Sequence, residues 1–507
     1  MFLPCAGNNI ESRIALWKWE GGTSSSFAKI LLDCGSPFLF IFVKVRKISG
    51  KSCVWPEITR RGAMKARVAG CLVSFLSLMI VLTMSARPSW ADKEDDHNGG
   101  ARLKLLGTIA IPGNPIASTD IADINQNTET LYFSDRSNLA VDVVDAENDL
   151  YIGRITTNAG GTLHFAGLTS PSTHEGPNGV VSTADKKVWA ADGDSTVKVL
   201  DVDPSSPTYL QIIASVNLAG LSAVSACTGG PAGTCNRADE IAYDPSDHII
   251  MVIDDEPTSI QPFATFIDSN FPYTVLGQIN FAAQGLVASK GLEQPAWDPQ
   301  LHRFLQTLPS VNATGTGAIA VINPKTLVVD RVISLAGYDC SPSGEALGAD
   351  QHLVVACGIV GAAAPSPTSF PLVIDVTTGS ELGAGINQVG GGDEVNYDPG
   401  DNEFVVSSNV AGIGTNPDVL GVINGRTGDW LENAPAATEG VGTTLGTGGL
   451  ATTGRAGNLA ALGENDHVFV IVHPAAAPGT DICGTFGTVD YGCVAVFGPE
   501  QEDPDGR

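Results

Sequence analysis

The sequence predicts an all-β protein, a seven-bladed β-propeller with four antiparallel strands per blade, and three observations carry that prediction. Short alternating runs bounded by Gly, Asp, Asn and Pro recur along the chain, and no convincing amphipathic helix interrupts them. A phrase returns at a nearly fixed spacing: RADEIAYDP at 237–245, LEQPAWDP at 292–299 and GGDEVNYDP at 391–399. The last unit is one strand short, while an unclaimed strand stands near the start of the repeats.

The elements follow in chain order. Residues 1–63 have no clear pattern and read as an upstream extension or a long n-region. Residues 64–91, MKARVAGCLVSFLSLMIVLTMSARPSWA, form a basic start, an apolar run and a small-residue exit. That is a secretory signal, with cleavage expected after Ala91 and with Ser89 and Ala91 in the small positions. Arg60 and Arg61 before it resemble a twin-arginine signal, so either the general or the twin-arginine route delivers a bacterial periplasmic or secreted protein. An acidic linker is expected over 92–102, the propeller over 103–498 and a disordered acidic tail over 499–507.

Aligning the run before each Asp-Pro-like turn gives the anchors Asp120, Asn178, Glu240, Gln294, Glu345, Glu394 and Asn458, spaced 49 to 64 residues apart. A fixed period of this kind outweighs the two or three domains that some 416 mature residues would otherwise suggest. Each interval holds four strand candidates, as DEIAYD, HIIMVID, FATFID and TVLGQINF do in the third. The seventh unit offers only NLAALG, HVFVIVH and CVAVFG. LKLLGTIAIP at 103–112 is expected to complete it and to remove the exposed edges.

Before residue 92 lie 12 of the 28 Lys and Arg and 4 of the 55 Asp and Glu, which leaves 16 basic against 51 acidic residues in the mature chain. A surface that acidic repels nucleic acid and anionic membranes and attracts cations. After signal cleavage no membrane contact is expected, and the protein is expected to be a monomer. Six of the ten cysteines lie in the mature part as sequence-local pairs: Cys227 with Cys235, Cys340 with Cys357 and Cys483 with Cys493. An even count in an exported chain reads as disulfides, and none of the pairs has the CxxC spacing of a zinc or redox site.

In a propeller the first strand of each blade lines the central channel, so the anchors place one polar residue per blade at the channel mouth. The ring comprises Asp120, Asn178, Glu240, Gln294 or its neighbour Glu293, Glu345, Glu394 and Asn458. Carboxylates this close repel unless they are protonated or share a cation, and oxygen donors suit Ca²⁺ before Mg²⁺. The bland alternative is a hydrated polar channel. His174 and His473 fall on the same face and are the candidate acid or base groups. His248, His302, His352 and His467 stand at the opposite turns and read as blade grammar, as do the Asp-Pro pairs. No GxSxG, P-loop, HExxH or CxxCH motif is present, and Asn312 heads a glycosylation sequon taken as chance.

GAIAVINPKTLVVDRVISL (317–335) resembles the YVTN-type repeat, as do STVKVLDVDP, FPLVIDVTTGSEL and DVLGVINGRTGDWL. The resemblance spans 103–497 and implies the propeller fold without fixing an activity. The acidic ring is also similar to that of gluconolactonase and regucalcin-type propellers, which implies one divalent ion held by residues of the type of Asn178, Glu240 and Glu394. Those proteins have six blades, and this chain counts seven. The expectation is therefore an exported propeller that binds a divalent cation and a small-molecule ligand or protein partner at the mouth. A metal-dependent lactonase-like hydrolase or lyase and a non-catalytic cell-surface scaffold are the alternatives.

Overall fold

The computed structural model separates the chain into two units, Met1–Asp96 and His97–Arg507. In the first unit, three strands are described: β1 (Arg13–Glu20), β2 (Ser25–Asp33) and β3 (Leu39–Arg46), an antiparallel sheet inside the stretch read as an extension. In the second, the described residues are 103–169, 174–218, 237–254, 262–312, 314–359, 369–392, 395–408, 419–435, 456–474, 482–485 and 492–499. The expected signal peptide and linker, the tail beyond Pro499, Cys227, Cys235 and Glu394 lie outside the described residues.

The second unit is a seven-bladed β-propeller. Its first described strand is β4 (Leu103–Ala110). Blade one is then β5 (Thr119–Asn125), β6 (Thr130–Asp135), β7 (Ala140–Asp145) and β8 (Leu150–Ile155). Blade two is β9 (Val180–Thr183), β10 (Lys187–Asp192), β11 (Thr196–Asp201) and β12 (Gln211–Asn217). Blade three is β13 (Ala238–Asp244), β14 (Ile249–Asp254), β15 (Phe263–Asp268) and β16 (Val275–Asn280). Blade four is β17 (Pro295–Asp298), β18 (Arg303–Leu308), β19 (Ala318–Asn323) and β20 (Val328–Ser334).

Blade five has β21 (Cys340–Leu347), β22 (His352–Ile359) and β23 (Ser369–Asp375). Its fourth position shrinks to the single bridge Ile374–Glu381, after which Gly383 and Gly385 give the backbone no side chains to hold a ladder. Blade six is β24 (Val395–Asp398), β25 (Glu403–Ser408), β26 (Val419–Asn424) and β27 (Trp430–Pro435). Blade seven is β28 (Ala456–Leu462), β29 (His467–Val472) and β30 (Cys493–Pro499), with β4 antiparallel to β30 as its outer strand.

Central strands read as near-continuous Val, Ile, Leu and Phe because each blade is covered on both faces. Apolar clusters fill the spaces between neighbouring blades. Ile124, Leu131 and Phe133 of blade one, for example, meet Phe469, Ile471 and Val494 of blade seven. Each such side chain contributes roughly 1.5–3 kcal/mol by leaving water.

The Asp-Pro phrase is turn chemistry. Asp244 Oδ1 accepts the amides of Ser246 (2.8 Å) and Asp247 (3.2 Å), and Asp298 Oδ1 those of Gln300 and Leu301 (both 2.9 Å). Each first hairpin then turns through a left-handed residue, at Glu129, Lys186, His248, His302, Gln351, Asn402 and Asp466. Two of the four repeat histidines thus occupy the left-handed position, and His352 and His467 follow it. His352 Nδ1 bonds the Gly425 carbonyl of the next blade at 2.7 Å.

Candidate functional site

The described anchor residues all lie at the ends of the first strands away from the hairpins, but they do not share one register. Strand pairing aligns Ala122, Val180, Ile241, Pro295, Glu345, Val395 and Leu459, the positions from which regular first-to-second-strand pairing runs toward the hairpin. Glu240, Gln294 and Asn458 stand one residue before that point, and Asp120, Asn178 and Glu293 two before it. Glu345 stands on it, where the other blades carry mostly apolar residues. β5, β13, β21 and β28 each contain a bulge immediately before that point, whereas β9 and β17 do not, and Asn178, Glu293 and Gln294 precede those two strands. Asn458 lies in β28, and its side chain is outside the description.

Blades one and two bring Asp120 and Asn178 together around a residue that the sequence reading passed over, Arg136. It is 8% exposed and follows β6 directly. Its Nε donates to Asn178 Oδ1 at 3.0 Å, its Nη2 to Asp120 Oδ2, and its Nη1 to the Thr119 carbonyl at 3.4 Å. Glu175 Oε2 approaches Nη1 at 3.8 Å. Asn178 Nδ2 in turn donates to the Ala238 carbonyl of blade three at 2.6 Å. The oxygens of Asp120 and Asn178 are therefore engaged by a fixed guanidinium, a geometry hostile to a divalent ion at that point.

Glu175 reaches this cluster because the loop before blade two lies flat on the corner after β10. A Cβ on Gly193 would stand 2.0 Å from the His174 carbonyl oxygen, and one on Gly176 would stand 2.0 Å from Asp192 Oδ1. His473, at the same corner of blade seven as Arg136 in blade one, has Nε2 3.0 Å from Thr119 Oγ1. His174 sits beside Glu175 in that flat loop, partly buried.

Blade three holds a different arrangement. Asp239 and Asp254 are 2% and 0% exposed and lie at the mouth end of paired strands, where Ala238 is opposite Asp254. Asp239 Oδ2 accepts from Arg237 at 2.9 Å, and Asp254 Oδ1 from the Ser195 hydroxyl at 2.9 Å. The second oxygen of each, Asp239 Oδ1 and Asp254 Oδ2, is buried without a hydrogen-bond donor among the described residues. Burial, helped by the Asp239 charge, pushes the Asp254 carboxyl well above the usual range. Glu240 is buried beside them.

On blade five, burial pushes Glu345 well above the usual range too, against an opposing pull from the Ala296 amide. Among the described residues, neither of its oxygens has a hydrogen bond of ordinary geometry. Glu345 thus has the profile of a buried carboxylic acid. In blade two, burial and Asp194 raise Asp192 to about 6 against the opposing pull of Lys198, whose Nζ lies 3.1 Å away. Among the described residues, no group of three or more His, Cys, Asp or Glu stands close enough to enclose a metal by itself.

Cys340–Cys357 and Cys483–Cys493 form disulfides, with Cα separations of 4.9 and 5.7 Å. The first ties β21 to β22, and the second ties a single helical turn, Ile482–Thr485, to β30. Two formed bridges fit an oxidising compartment. Among the described residues, no helix is long and apolar enough to cross a membrane.

The fold defines the class: a seven-bladed β-propeller, with several buried acidic residues among the described residues at the ends of its inner strands. No family model matches the chain, and no curated protein matches it either, so neither the YVTN-type nor the lactonase-type resemblance gains a family assignment. Among solved structures, the chain is similar to one from Kuenenia stuttgartiensis hydrazine synthase. The two share 12% identity at a TM-score of 0.49, over 71% of this chain and 94% of that one. A likeness that distant carries no argument about activity.

Proposed function

We propose that this is an exported propeller that binds a divalent cation, Ca²⁺ before Mg²⁺, on the blade-three side of its channel mouth, and through it a small ligand or protein partner. The observation that supports the reading is the pair Asp239 and Asp254, two buried carboxylates that each keep one oxygen without a donor among the described residues. Hard carboxylate oxygens are the donor type that Ca²⁺ takes, at about 2.3–2.6 Å, and an ion there satisfies both oxygens and relieves their repulsion. The blade-one and blade-two anchors fit that role less well, because Arg136 donates to both Asn178 and Asp120, whereas on blade three Arg237 pairs with Asp239 Oδ2 and leaves Asp254 to the neutral Ser195 hydroxyl. Glu240 is the neighbouring anchor best placed to add a further oxygen. Export rests on the signal over residues 64–91 and is checked by N-terminal sequencing of the mature protein, which is expected to start at Asp92.

The deciding experiment is calcium titration of the chelator-treated mature protein with the melting temperature as readout. Added Ca²⁺ is expected to raise it, and Asp254→Asn to abolish the rise. An unchanged melting temperature, with no metal co-purifying, removes the basis of the reading and leaves the scaffold alternative. The hydrolase alternative keeps one observation, the 3.0 Å contact of His473 Nε2 with Thr119 Oγ1, a hydroxyl beside an imidazole at the mouth. Lactone hydrolysis that disappears in His473→Ala, while calcium binding persists, would establish it.

A further inference from the structure

On the face away from the channel mouth site, blades one and two part to form a cleft of about 260 Å³. Its walls are aliphatic: Val143 and Ile152 from blade one, Val202 and Pro204 from blade two. Its rim is polar, with Asn125, Thr128 and Tyr132 on one side and Tyr209 on the other. The volume falls just below the roughly 300–1,000 Å³ of pockets that take drug-sized molecules, so the occupant is a single small ring rather than an extended ligand.

Charge narrows the chemistry. Lys186 is the one formally charged residue in the lining, and its Nζ is paired with Asp203 Oδ1 at 3.2 Å. With that pair self-compensated, the cleft presents no unpaired charge for an anion or a cation to meet. It does present hydrogen-bonding groups. Asn125 Oδ1 is spent on the amides of Asn127 (3.0 Å) and Thr128 (3.2 Å), which fixes the side chain and leaves Nδ2 as a donor with no partner among the described residues. The Tyr209 hydroxyl likewise has no partner among the described residues, although burial raises its pKa. Tyr132 is 3% exposed and adds a second phenol to the lining. Aliphatic and aromatic surface beside fixed neutral donors suits a molecule with apolar C–H faces and an equatorial belt of hydroxyls.

We infer that the cleft between blades one and two binds a small uncharged polyhydroxylated ring, a monosaccharide or a cyclitol. The site is independent of the cation at the mouth. Its test is saturation-transfer NMR on the mature protein with methyl β-glucopyranoside, methyl β-galactopyranoside and myo-inositol as probes, and benzoate and benzylamine as charged controls. At least one neutral probe is expected to receive saturation, unaffected by calcium chelation. Tyr209→Ala is expected to weaken that binding about tenfold and Tyr209→Phe less. Ile152→Lys, at a residue 42% exposed, fills the cleft and is expected to abolish the signal even if Tyr209→Ala folds poorly. The inference is overturned if no neutral probe at millimolar concentration receives saturation, if a charged control binds in preference, or if binding survives Ile152→Lys.

Discussion

Replacing Arg136 with Met tests the electrostatics of the channel mouth directly. The side chain is almost wholly buried, and its loss removes the guanidinium that donates to the Asp120 carboxylate and to the fully buried Asn178 Oδ1. Breaking a buried pair from one side costs about 3–5 kcal/mol, chiefly because the partner stays behind uncompensated. The Asp120 side chain is 19% exposed, so water recovers part of the loss and the low end, about 3 kcal/mol, applies. With about 2.1 cal/mol/K of unfolding entropy per residue over roughly four hundred residues, that corresponds to a fall of about 3–4 °C in melting temperature. Calorimetry at neutral pH provides the measurement. The double variant Arg136→Met, Asp120→Asn removes the charge that Arg136 balances and should regain at least half of the loss. A single variant within about 0.5 °C of the parent, or losses that simply add, would refute the account of Arg136 as the counter-charge of the mouth.

Other substitutions probe other parts of the molecule. Gly193→Ala drives a methyl group into the His174 carbonyl, and overpacking of this kind costs about 1–3 kcal/mol. Urea unfolding should show the cost, and faster proteolysis near residue 174 should show that the loop has lifted. Cys340→Ser is expected to cost about 3 kcal/mol, since the bridge closes a 17-residue separation. The effect should vanish when both proteins are compared under reducing conditions. Stability should also fall as pH rises. Burial, with neighbouring carboxylates, raises Asp142 to about 8, Asp398 to about 7 and Glu403 to about 8. A carboxyl whose folded pKa is raised stabilises fully below its unfolded value near 4, and that contribution is lost as pH climbs toward the folded pKa. The urea midpoint of the calcium-free protein should therefore be higher at pH 5 than at pH 8, with Asp398→Asn narrowing the gap.

The fold was legible because its signals are local. Strand alternation, an Asp that bonds the amides two and three residues on, and a left-handed residue closing the hairpin all lie within a few positions of each other. They repeat once per blade, as at Asp244 and His248. The mouth was legible only in part. Counted back from their hairpins, Asp120, Glu240 and Glu345 occupy three successive positions, and an alignment on the likeness of the phrases hides that offset; the bulges beside them in β5, β13 and β21 leave no mark in composition. Arg136 was missed for a related reason, since its partners come from two blades and a loop. One available signal was its rarity, a basic residue at a strand corner in a chain with 16 basic against 51 acidic residues after position 91. Cys340–Cys357 was readable because the two cysteines sit at ends of strands that pair. The missing fourth strand of blade five hides in a run of small residues with no strong periodicity.

The strand order of blade seven has a mechanical consequence. β4 and β30 run antiparallel with Leu103 opposite Pro499 and Ala110 opposite Cys493. A pull applied at residues 103 and 499 therefore loads the same end of the pair. The hydrogen bonds do not share that load in shear; they open one after another, starting from the Leu103–Pro499 end. Tension along the chain thus meets its weakest geometry first, and the Cys483–Cys493 bridge stands at the far end of the zipper, where a run of broken bonds arriving from the termini would stall.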